Sequence, residues 1–289
     1  MAATGDNIQY SYWDIDSSLQ LFEIKKPNFG YKCTIRLPWD IQESGNGHYG
    51  IYDNGKGVMG NDKYSVDCES ILNSAQFSTF IEAYRKINEG RARNWGFNLQ
   101  AGSGFYAFGP SCDDTGYPII TIDVLSYKGV GAAPYKYFRV VVRMSYSGTM
   151  VHKTPAAQPY AGPVTIGNIT GVPFPSGWFI PNIEFKEESQ VYEGANLNRF
   201  YSMGENSDRY DTGARFEMND YKAAQVVKEL VQVQRNSPFS FVVPVGCYPF
   251  GVEKGNGPFQ VKLIQNKIEL VNEKYNHWVF NLKFNYISG

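Results

Sequence analysis

Phe138-Arg139-Val140-Val141-Val142-Arg143-Met144-Ser145-Tyr146 and Trp278-Val279-Phe280-Asn281-Leu282-Lys283-Phe284-Asn285-Tyr286 are the two stretches that decide the reading. In each, five large apolar residues stand two positions apart. Arg139, Arg143 and Ser145 fall between them in the first stretch, and Asn281, Lys283 and Asn285 in the second. Successive side chains of a strand point to opposite faces, so this period predicts a long strand with one buried and one wet face. The two stretches match at an offset of about 140 positions, a candidate internal repeat.

The match extends towards the N-terminus. Tyr106-Ala107-Phe108-Gly109 and Tyr248-Pro249-Phe250-Gly251 precede the two stretches as turn tetrapeptides. Ahead of these lie aromatic strands, with Trp95, Phe97 and Leu99 in one copy and Phe239, Phe241 and Val243 in the other. Earlier still is a helix in each copy. Ser74 predicts the N-cap of the first, Phe77, Phe80, Ile81, Tyr84 and Ile87 its apolar face, and Gly90 its end. Asp220 predicts the second N-cap, with Ala223, Val226, Val227 and Leu230 as the stripe and Asn236 and Pro238 as the stop. The offset shrinks from about 146 at the helices to about 140 at the closing strands in even steps. Even steps between elements keep each strand's core-facing parity, which a one-residue slip would reverse.

A chain of 289 residues suits two domains of ordinary size. Tyr (21) and Phe (19) make up most of a 16% aromatic content, which favours a mainly β (α+β) fold. With 27 basic and 28 acidic residues and no Lys/Arg-rich run, the chain lacks the basic footprint of tight, sequence-specific nucleic-acid binding. The opening residues Met1-Ala2-Ala3-Thr4-Gly5-Asp6 have neither the basic nor the apolar region of a secretory signal. The longest apolar runs, such as 239–245, are too short to cross a bilayer, so no membrane segment is expected. Cys33, Cys68, Cys112 and Cys247 lack metal-like spacing and are read as buried free thiols.

The expected organisation is an N-terminal arm (1–18), a first domain (19–148), a Pro-rich linker (149–181) and a second domain (182–289). The first domain opens with a strand over 31–37. Residues 38–62 follow as a Gly/Asn/Asp-rich long loop or wide hairpin, and 63–69 as a strand leading into the helix. The second opens at 183–186, with a polar loop over 188–211 and a strand over 214–218. Loops of that length in compact domains are usually functional or disordered.

No constellation in the chain carries chemistry, and the expected catalytic, cofactor-binding and metal-ligating residues are none. Gly45-Asn46-Gly47-His48-Tyr49-Gly50 and Gly55-Lys56-Gly57-Val58-Met59-Gly60 fit a dinucleotide-binding spacing, but both sit inside one glycine-rich loop rather than between a strand and a helix. His48, His152 and His277 show no zinc spacing. The acidic pairs Asp14/Asp16, Asp113/Asp114 and Glu187/Glu188 read as solvated surface groups. Asn168-Ile169-Thr170 matches a glycosylation sequon in a chain read as cytosolic.

The order of strand, Gly- and Asn-rich loop, strand, helix and closing antiparallel strands resembles the tail-tube fold of bacteriophage tail tube, distal tail and baseplate hub proteins. The resemblance spans roughly 19–148 and 178–289. It implies two tandem tail-tube-like antiparallel β-sandwich or barrel domains, each with one flanking helix. It further implies that sheets join edge to edge into a ring around a channel, leaving no open edge. The resemblance also implies that a duplicated chain of this kind can form the ring as a homotrimer with pseudo-sixfold symmetry, which is the expectation for this one. Implied partners are other copies of the chain, neighbouring tail or baseplate rings, and DNA or a tape-measure protein passing without sequence-specific binding. The implied location is the virion tail, after synthesis in the host cytoplasm. Two other readings stand beside this one: a carbohydrate- or receptor-binding β module, from the Tyr/Trp richness, and a cell-wall glycan hydrolase using acids such as Glu187 or Asp113.

Overall fold

A computed structural model describes residues 7–25, 30, 32–37, 39–43, 49–53, 63–89, 92–98, 119–147, 161–184, 189–194, 197–202, 209–234, 237–274 and 277–288, and element counts refer to these. Strands β1 (Asn7–Asp14) and β2 (Leu19–Lys25) form a hairpin, and β3 (Lys32–Arg36) follows. A second hairpin pairs β4 (Trp39–Glu43) with β5 (Tyr49–Asp53). Then come β6 (Lys63–Asn73), helix α1 (Ser74–Asn88), β7 (Ala92–Asn98), β8 (Ile119–Val130) and β9 (Tyr137–Ser147).

The second half repeats this order, with two strands in the place of β8. It has the hairpin β10 (Val164–Ile166) and β11 (Ile169–Val172), β12 (Gly177–Glu184), and the hairpin β13 (Ser189–Gly194) and β14 (Leu197–Ser202). Strand β15 (Arg209–Met218), helix α2 (Asp220–Lys228), β16 (Phe239–Val242), β17 (Phe259–Leu263), β18 (Lys267–Lys274) and β19 (His277–Ser288) complete it, β17 and β18 together taking the place of β8. The chain is therefore mainly β, with large antiparallel sheets and two α-helices among the described residues.

Pairing repeats along with order. The first half runs β3-β6-β9-β8-β7, with β1 paired on β7. The second runs β12-β15-β19-β17-β16, with β10 paired on β16. Register agrees residue by residue. Leu72 opposes Phe138 and Met218 opposes Trp278; Cys68 opposes Val142 and Ala214 opposes Leu282. Both helices follow their strands under an Asn cap. Asn73 accepts from the Gln76 amide, and Asn219 from the Lys222 amide, with the same extended backbone at each cap. In a capping box, Gln76 also accepts from the Asn73 amide. The caps thus lie one residue before Ser74 and Asp220 in both halves. An Asn side chain just ahead of the first turn reaches the orphan amides that the sequence reading gave to Ser74 and Asp220.

Two parts of the predicted organisation differ. Residues 7–14, expected in an arm, are strand β1, because alternating Tyr10 and Tyr12 are buried against Phe22 and Phe80. Within the predicted linker, 164–172 is a hairpin with Val164, Ile166 and Val172 buried, and β12 starts at Gly177. Gly167, at φ +58, begins the two-residue turn of that hairpin, where a β-carbon would collide with the Glu229 carboxylate. The predicted loop 38–62 holds the β4–β5 hairpin and 188–211 holds β13–β14. The tetrapeptide Tyr106–Gly109 lies outside the described residues.

The core is one contiguous cluster on the helix side of the sheet. Ala223, Val226, Val227, Leu230 and Val231 are buried along α2 and the π-helical turn Glu229–Gln234 that continues it. Phe216 stacks on Phe280, and Phe241 meets Phe284 with ring centroids 4.9 Å apart. In the first half Phe77 stacks on Phe138 at 4.1 Å, while Phe80 and Ala83 are buried. The opposite face carries cross-strand ion pairs, including Arg143 on Asp67 at 2.6 Å and Arg139 on Glu69 at 3.2 Å.

Candidate functional site

Strand pairing places the feature most suggestive of function at the boundary between the halves. Strand β19 is long enough to hold two partners on one edge. Strand β17 pairs with its C-terminal part and β18 with its N-terminal part, while β15 fills the other edge. The break between β17 and β18 is fastened by Gln265, whose side chain accepts from the Lys283 amide and donates to the Lys267 carbonyl. Freed from β17 on its far side, β18 offers that edge to β3 of the first half.

The β3–β18 junction is antiparallel. Arg36 opposes Lys267, Ile35 opposes Ile268, Thr34 opposes Glu269, Cys33 opposes Leu270 and Lys32 opposes Val271. Its ends are fastened as well. The Gly30 amide donates to the Asn272 carbonyl (2.6 Å), the Leu37 amide to the Asn266 carbonyl (2.9 Å), and the Trp39 indole to the Gln265 carbonyl (3.3 Å). Cys33, Ile35, Trp39, Ile268 and Leu270 are all buried. Burial pushes the Cys33 and Cys68 thiols well above the ordinary thiol range, with the Asp67 charge adding to the effect, so both stay protonated and unreactive.

The repeat gives each strand of this junction an equivalent elsewhere. Strand β12 pairs with β15 as β3 pairs with β6. The C-terminal part of β8 pairs with β9 as β18 pairs with β19. Among the described residues, neither β12 nor this part of β8 has a strand on its second edge. Side-chain exposure follows. Tyr127 opposes Val140 just as Leu270 opposes Phe280, yet Tyr127 is 60% exposed and Leu270 0%. Leu125, in the bulge of β8, is 49% exposed, whereas Ile268 is 0%. Tyr127 meets the flank of the core at Phe77, with ring centroids 5.4 Å apart.

The chemical candidates are dispersed. Asp14 pairs with Lys86 at 3.3 Å. Asp16 accepts from the Ser18 hydroxyl and amide, which hold its carboxyl below the ordinary carboxylate range. Asp14 ends β1 and Asp16 lies in the β1–β2 turn. His277 starts β19 beside Glu217 at 3.6 Å. Asn168 donates to the buried Glu229 carboxylate from its amide and its side chain, both at 2.8 Å. Asp113, Asp114, Glu187, Glu188, His48, His152, Cys112 and the glycine pattern 55–60 lie outside the described residues, as does most of 45–50. Cys247 is half-buried. Among the described residues, no helix is long and apolar enough to cross a membrane.

Sequence reasoning missed the strands that matter most here. In the run 259–274 the signal that could have found them is the period-two alternation of Phe259, Val261 and Leu263, then of Ile268 and Leu270. No protein-family model and no curated protein matches this chain.

Proposed function

We propose that this chain is a non-enzymatic structural protein of a phage tail. On this reading it builds a ring of the tail tube, or of its distal tip or hub, around a channel for DNA or a tape-measure protein. Its two halves act as tail-tube-like domains, and three chains supply six ring positions. The observation that carries the reading is the β3–β18 junction, where two halves of like topology join edge to edge through buried apolar residues. An edge-to-edge union of this kind propagates a sheet from one unit to the next and removes an otherwise open edge. The ion-paired face opposite the helices would suit a surface past which a polyanion slides without sticking.

Native mass spectrometry with negative-stain imaging tests this. The expected result is a three-chain ring with an open centre. A stable monomer at high concentration would refute it. A carbohydrate- or receptor-binding module is the second reading, favoured by the exposed Tyr127, Tyr135 and Tyr137 around the β8–β9 hairpin. A glycan array distinguishes the two, because ring assembly would cover Tyr127 whereas a sugar platform needs it free.

A further inference from the structure

Resting on the ring reading above, we infer that the β8 edge of one copy of this chain pairs antiparallel with the β12 edge of a second copy, in the register of the β3–β18 junction. Three observations carry this. First, β8 and β12 are the repeat equivalents of β18 and β3: each pairs with its inner neighbour as one partner of the junction does, apart from a bulge between Val124 and Ser126 in β8 and one between Phe179 and Asn182 in β12. Second, they terminate opposite ends of one run, β12-β15-β19-β18-β3-β6-β9-β8. Eight strands at the usual spacing put those ends about 34 Å apart along the sheet, so a second chain is the natural partner. Third, Tyr127 is uncovered on β8 where its equivalent Leu270 is fully covered on β18. Unlike edges at opposite ends make a heterologous, head-to-tail contact, which closes into a ring when the rotation permits.

The register follows from the repeat. Val271 opposes Lys32 within the chain. Lys128 takes the place of Val271, since each opposes the matching residue of its closing strand, Arg139 or Val279. Phe179 takes the place of Lys32, since each opposes the matching residue of its helix-leading strand, Gly213 or Asp67. Lys128 should therefore face Phe179 of the second copy. By the same reasoning Ser126 should face Asn182, on the other side of the β12 bulge.

The test is a paired-cysteine experiment on the full chain. Directly opposed residues of antiparallel strands have α-carbons about 4.5–5.5 Å apart, within disulfide reach. Lys128→Cys with Phe179→Cys, and independently Ser126→Cys with Asn182→Cys, should each give intermolecular disulfides on mild oxidation. The products should be a ladder ending at the trimer. Lys128→Cys with Glu184→Cys places the thiols more than about 13 Å out of register and should not cross-link. Tyr127→Lys should weaken self-association roughly 30-fold, as loss of a buried aromatic anchor does, with an unchanged circular dichroism spectrum. Rings without cross-links from either pair would overturn this edge assignment and leave the ring reading standing. A ladder without closed rings would support the assignment and overturn the ring. Cross-links confined to single chains, or equal cross-linking by the out-of-register pair, would overturn the assignment.

Discussion

Leu270 and Tyr127 occupy equivalent sites with opposite surroundings, so truncating each measures what the junction contributes. Leu270 is fully buried between Phe280 of β19 and Cys33 of β3. Leu270→Ala removes three carbons, worth about 0.8 kcal/mol each in transfer. The cavity left in a well-packed junction raises the total to about 3.5 kcal/mol. For a chain of this size, that lowers Tm by roughly 8 °C. Tyr127 is 60% exposed beside its ring contact with Phe77, so Tyr127→Ala in dilute, monomeric protein should cost under about 1 kcal/mol. Differential scanning calorimetry over a concentration series is the assay. As chains associate, the Tyr127→Ala cost should grow, because the edge becomes covered, while the Leu270→Ala cost stays constant. A Leu270→Ala shift under about 2 °C would refute the view that the junction is a packed core seam. An equal loss from Tyr127→Ala in monomeric protein would refute the claim that its edge is open.

Other outcomes follow from single groups. The buried Glu229 carboxylate accepts from the Asn168 amide, the Asn168 side chain and the Gln234 side chain. Glu229→Ala should therefore cost about 2–3 kcal/mol in urea unfolding by orphaning those donors, and Glu229→Gln, which keeps an acceptor oxygen, distinctly less. Cys33 and Cys68 should resist alkylation in the native protein and react on unfolding, while the half-buried Cys247 reacts earlier, as peptide mapping will show. The hydrogen bond to Asp14, with help from Tyr12 and Glu82, raises the Lys86 ammonium above the ordinary lysine value of 10.5. A raised folded-state pKa gives stability that is complete below the ordinary value and is lost as pH rises through the folded value. The Tm advantage of the wild type over Lys86→Met should accordingly hold from neutral pH to about 10.5 and close above it.

How much of this was legible depended on how local the signal was. The closing strands, now β9 and β19, were readable because alternation is set by each residue's own neighbours. The α1 stripe was readable for the same reason: Phe80 is buried and Phe77, Ile81, Tyr84 and Ile87 are partly so. The caps were misplaced by one residue because Ser74 and Asp220 are good capping residues directly after Asn73 and Asn219, and only the backbone shows where the helix begins. The hairpin 164–172 was hidden by the proline content around it, although Gly167-Asn168 was a turn signal in plain view.

Local pattern alone was enough for the mainly β character, the doubled order of helix and closing strand, and the buried face of each closing strand. Each of these follows from side-chain period and residue size. The even offsets do not extend to every pair, since Tyr127 and Leu270 are 143 positions apart. The tertiary structure decided which strands lie side by side. Lys32–Arg36 and Lys267–Val271 are separated by over two hundred positions, and alternation tells a strand which face to bury but not which edge to join. Only the folded chain therefore distinguishes Leu270, sealed in a junction, from Tyr127, its exposed equivalent on an edge with no strand partner among the described residues.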